Sequence, residues 1–139
     1  MTRKILATIA GFATTFATIM LVQAAGHAVY PPPPELDMSD PEAVAMLFDS
    51  LPVGALSFVL LAYFAGAFVG PFVAKWLGGG SGKPYALILG GFVLGGTLVT
   101  VYRIPHPPWF VAAAIIGIPV AAWLGAKFGP RRLAVGKTA

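Results

Sequence analysis

The sequence contains two histidines, and each stands beside a proline run: His27 in GHAVYPPPP and His106 in YRIPHPPWF. Imidazole titrates near neutral pH and is a frequent ligand of zinc and other divalent metals. Gln23 precedes His27 by four residues, so the two share a helix face. Glu35, Asp37, Asp40 and Arg103 are the charged residues nearest to the two motifs in sequence. Two imidazoles with a carboxylate from Glu35 or Asp37 make a partial ligand set for a divalent metal. A helix-end histidine also suits a porphyrin-type metal. The plainer expectation has no cofactor: each imidazole hydrogen-bonds a loop carbonyl and seats a stiff corner. If the segments bearing them are neighbours, His27 and His106 approach each other.

Little else in the chain could do chemistry. There is no cysteine, which excludes thiol catalysis and disulfides. Gly-x-Ser-x-Gly, P-loop and HExxH patterns are also missing. A non-catalytic protein is therefore expected.

The elements that must position the histidines are long and apolar. Hydrophobic residues make up 58% of the 139 positions and charged ones 10%, against about 25% in a typical soluble domain. The mean hydropathy is +0.83. Four segments stand out: residues 5–26, 51–74, 85–102 and 109–126. Each reaches the roughly 17–25 residues that a spanning helix needs. In hydrocarbon the backbone must satisfy its own hydrogen bonds, which makes each segment helical. The expected fold is an all-α integral membrane protein, one four-helix domain over residues 1–139.

Charge placement sets the expected orientation. Arg3, Lys4, Lys75, Lys83, Lys127, Arg131, Arg132 and Lys137 fall on one side of a four-span chain, and only Arg103 falls on the other. Basic residues are retained on the cytoplasmic side. Both termini are thus expected inside, with two in-out/out-in hairpins, in the cytoplasmic (inner) membrane of a bacterium. The pI near 9.7 reflects these helix-flanking residues rather than a basic patch for nucleic acid, which is not an expected partner. Tyr30, Tyr102, Trp109 and Phe110 are expected at the outer interface, and Trp76, Tyr85 and Phe128 at the inner one.

The outer loop between the first two spans begins PPPP, a stiff polyproline rod, and then reads SDPEAVAMLFD. Asp40 or Ser39 can cap a short surface helix whose first turn accepts Pro41. Its buried face is expected to carry Ala43, Met46 and Leu47. Pro71 and Pro119 fall inside the second and fourth spans.

Small residues recur at four-residue spacing, which places them on one helix face where backbones approach closely. They are Ala7, Gly11 and Thr15 in the first span, and Ala62, Gly66, Gly70 and Ala74 in the second. The third has Gly91 and Gly95, beside Gly90 and Gly96; the fourth has Ala113, Gly117, Ala121, Gly125 and Gly129. Gly66, Gly70, Gly91, Gly95, Gly117 and Gly125 are the principal packing candidates, and Leu60 is expected to face lipid. None of the four segments holds an Asp, Glu, Lys or Arg. Proton relays and ion-coupled transporters use such groups. The functional expectation is a structural or accessory subunit of a larger membrane complex. Its partners would be the lipid bilayer and other integral membrane subunits, or further copies of itself. The alternative is a small oligomeric transporter or channel, with an outer-face histidine site.

Overall fold

The computed structural model describes residues 1–37 and 39–131; Arg132 and Lys137, counted above among the basic flanks, lie outside that range. Five helices follow in order: α1 (Thr2–Val29), α2 (Pro41–Ser50), α3 (Val53–Gly78), α4 (Lys83–Arg103) and α5 (Pro108–Phe128). All but α2 are long and apolar enough to cross a membrane. The helices overrun the apolar segments at most ends, because a helix continues into the head-group zone until a proline or glycine stops it. Pro52 and Pro107 precede α3 and α5, while α3 ends at Gly79. Gly79, Gly80 and Gly82 all have positive φ, a conformation that side-chain-bearing residues rarely adopt.

α3 is the hub, packing against α1, α4 and α5, whereas α1 and α5 do not meet. Along the α1–α3 seam, Gly11 faces Gly70 and Ala74, Thr15 faces Gly66, and Gly26 faces Phe58. The pairs run in opposite order along the two helices, so they are antiparallel. A Cβ on Gly11 would lie 3.0 Å from the Gly70 carbonyl oxygen. One on Gly70 would overlap the Thr15 hydroxyl. That hydroxyl donates to the Gly66 carbonyl at 3.2 Å, a polar tie between helices in the buried seam. α5 approaches α3 as closely: Gly125 lies against the Phe68 carbonyl and Gly117 against the Phe64 ring. Gly90 of α4 receives Ala122 of α5. The main core lies among α3, α4 and α5, around Leu56, Leu60, Val93, Phe110 and Ile118. A smaller one joins α1, α3 and α4 through Ala7, Ala74, Tyr85 and Leu89.

Several expectations change. Leu60 is core, 6% exposed, while its neighbour Leu61 faces outward. Phe110 and Tyr85, in the first turns of α5 and α4, are buried against neighbouring helices. Tyr85 sits in the small core, its hydroxyl buried without a hydrogen-bond partner. Lys75, expected in the inner loop, lies in the last turn of α3 and is 5% exposed. Its flexible stem runs through the helix interface, and its ammonium donates to the Lys127 carbonyl at 3.1 Å. That carbonyl belongs to the last turn of α5, where no intrahelical donor remains. Arg3 makes the matching contact at the end of α3, donating from Nε to the Leu77 carbonyl at 2.8 Å. Cations are favoured at helix C-termini, so α1 caps α3 and α3 caps α5 at one end of the bundle.

Candidate functional site

The other end of the bundle carries both histidines. There α4 stops at Arg103 and Ile104 turns extended. Pro105 and Pro107 then prevent helical continuation, and Pro108 opens α5 in the first-turn position that tolerates proline. Within this corner His106 Nδ1 lies 2.6 Å from the Ile104 carbonyl oxygen. A carbonyl can only accept, so Nδ1 carries the proton. The ring packs between Phe48, at 4.9 Å between centroids, and Phe110, at 4.7 Å. Phe110 is fully buried in the main core, so His106 stands on a rigid floor.

Phe48 comes from α2. Asp40 caps that helix, its carboxylate accepting from the Glu42 amide at 3.0 Å, with Pro41 in the first turn. The inward face differs from the expected one. Val44 is buried and Phe48 and Leu51 pack on the main core, while Met46 is 74% exposed. With Leu47, these residues follow i, i+3, i+4, i+7 spacing, one stripe of a helix. The sequence reading began that stripe one residue early.

His27 lies in the last turn of α1 and is exposed. It lines a groove of about 590 Å³ with Gln23, Tyr30, Pro32, Phe48 and Phe58 among the other walls. The polyproline rod closes one side, α2 another, and the start of α3 forms the base. Tyr30 reaches over Gly54 and meets Phe58 edge-on at 6.1 Å. Phe48 lines this groove and also contacts His106, which is not part of the lining. Phe48 therefore links the environments of the two histidines.

The expected third ligands do not complete a metal set. Among the described residues, no group of three histidine, cysteine or acidic side chains is placed to hold a metal ion. Asp37 accepts from the Ser39 hydroxyl at 2.5 Å and from its amide at 2.9 Å. The hydroxyl first, and then the amide, hold the Asp37 carboxyl below its ordinary pKa. Of the packing candidates, Gly66, Gly70, Gly117 and Gly125 lie against neighbouring helices, whereas a Cβ on Gly91 or Gly95 would meet nothing within 4 Å. Neither the groove nor the Lys75 and Arg3 caps could be read from spacing. The groove is made where α1, the polyproline rod, α2 and α3 meet, and the caps by residues far apart in sequence. No protein-family model, curated protein or solved structure matches the chain.

Proposed function

We propose that the protein is a non-catalytic accessory subunit of a larger membrane assembly, in the cytoplasmic membrane of a bacterium. The observation that carries this reading is the free glycine face of α4. Gly66, Gly70, Gly117 and Gly125 are used inside the chain, but Gly91, Gly95 and Gly96 have open space where a Cβ would point. Glycine costs a helix about 1 kcal/mol relative to alanine in water. Three such positions therefore lower helix propensity without any contact among the described residues to offset it. Close approach by another helix supplies that offset. Leu98 and Tyr102 continue the same face and are exposed.

The orientation follows from charge. With both termini inside, Arg3, Lys4, Lys75, Lys83, Lys127 and Arg131 share the cytoplasmic side with Arg132 and Lys137. The helices then form two in-out/out-in hairpins, and the histidine corner and α2 lie outside. The absence of acids and bases from the middle of all four spans supports a structural rather than ion-coupled role.

The test is purification in mild detergent, with Gly95→Leu beside the parent. Stoichiometric foreign membrane subunits, lost in the variant while its thermal stability is retained, are the expected result. A clean homo-oligomer would favour the small transporter or channel instead. A monomer that is indifferent to Gly95→Leu would overturn both readings.

A further inference from the structure

A second groove, distinct from that at the histidine end, runs between α4 and α5 at the basic end. Its volume is about 440 Å³, and Lys83, Leu87, Gly91, Leu94, Pro119 and Trp123 line it. The groove is open because α4 presents glycine here: Gly90 accommodates Ala122, and Gly91 has nothing beside it. In a membrane this furrow lies along the outer surface of the bundle, where lipid chains are the solvent. Its walls are almost wholly apolar.

Its mouth is basic. Lys83 is the first residue of α4 and exposed. One turn past the Trp123 wall, the Lys127 ammonium rests over the Trp123 ring, 4.7 Å from the centroid. Lys83 and Trp123 thus line one groove, and Lys127 lies against that indole. The α4 N-terminus has no side-chain cap, so its partial positive charge adds to theirs. All five acidic residues fall within residues 35–49, toward the histidine end. No acidic side chain among the described residues is therefore supplied to neutralise the mouth.

We propose that this groove binds an anionic phospholipid. The phosphate lies between Lys83 and Lys127, with Trp123 at head-group depth, and an acyl chain lies along Gly91, Leu94 and Pro119. The charge decides the class of lipid, because a zwitterionic head group brings a third cation to a mouth that already holds two. The groove decides that it is a lipid rather than a free anion. This site meets the subunit face of α4 at Gly91, so the two are told apart by substitutions away from that residue: Gly95→Leu for the subunit contact, and Lys83→Gln with Lys127→Gln for the lipid.

The experiment uses the full-length chain in mild detergent and counts retained lipid by native mass spectrometry. Phosphatidylglycerol and phosphatidylcholine of matched chain length are titrated in separately, with inorganic phosphate as a third probe. A lysine near an anionic lipid surface strengthens binding about fivefold, so the pair contributes about thirtyfold. Lys83→Gln with Lys127→Gln should weaken phosphatidylglycerol retention by about that factor and leave phosphatidylcholine unchanged. Gly91→Leu, which has space to fold, should weaken retention by filling the furrow. Equal retention of the two lipids by the parent would overturn the proposal, as would a double variant that binds phosphatidylglycerol undiminished. If millimolar phosphate displaces the lipid head group and Gly91→Leu has no effect, the mouth is an anion site and the acyl assignment is wrong.

Discussion

His106 holds its corner by a hydrogen bond to the Ile104 carbonyl and by packing between two aromatic rings. His106→Ala removes both, and the expected loss is about 1–3 kcal/mol of stability in detergent. His27 is exposed, so His27→Ala should stay within about 0.5 kcal/mol of the parent. Thermal unfolding of the two variants separates them, and elemental analysis belongs beside it. Stoichiometric metal, lost in both variants, would show that the imidazoles serve a ligand. Asp37 supplies a pH dependence of known sign. Its carboxyl titrates below its ordinary range because the ionised form accepts from Ser39. The Ser39-to-Asp37 hydrogen bonds are favoured above the unfolded-state pKa and lose that support as pH falls through the folded-state value. An NMR titration of the Ser39 amide should show its step at acid pH, and Asp37→Asn should abolish it. At this scale the sequence displayed the right corner residues. It could not display that Phe48, over fifty positions away in the chain, completes the seat of His106.

Helix seams make sharper demands than single corners. At Gly125 the obstacle is the Phe68 carbonyl, which is backbone and cannot rotate away. Gly125→Ala should therefore destabilise the bundle by about 1–3 kcal/mol, and Gly125→Leu should prevent α5 from docking. Gly117→Leu meets the far edge of the Phe64 ring, and Gly66→Leu meets Ile19 with the Thr15 carbonyl oxygen at 3.1 Å behind it, so the expected cost rises from Gly117 through Gly66 to Gly125. Leu60→Ala should cost about 2–5 kcal/mol as a buried large-to-small change. Denaturant unfolding of this set, ranked, is the measurement. The existence of the long helices was legible because an uncharged run of twenty residues leaves the backbone no other way to bond itself. Their inner faces were less legible. α3 and α5 are apolar on every side, since lipid and core reward the same residues, so periodicity could not tell Leu60 from Leu61. The amphipathic α2 was different, and only a one-residue offset in its stripe separated expectation from structure.

For the whole molecule, the proposed orientation gives an opposite fate to two serines. Cysteines introduced at Ser39 and Ser81 should differ toward an impermeant thiol reagent on intact cells: position 39 labels and position 81 does not. The reverse pattern would invert the topology and move the proposed lipid site to the outer leaflet. The number of spans was readable because four uncharged runs reach the length a membrane crossing needs. The order of packing around α3 was not, because every span carries small residues and only contact geometry decides which are paired.

Lys75 also makes the bundle a reporter of its own completion. Its ammonium meets a carbonyl 52 residues further along the chain, so α3 must wait for α5 before that lysine is covered. Lys4, Lys83 and Lys127 stay exposed in the finished protein, and Lys75 alone among these lysines is buried. A pulse of amine-acylating reagent during synthesis should therefore modify Lys75 only in chains whose last helix has not docked. The ratio of its labelling to that of Lys83 becomes a clock for the final step of biogenesis.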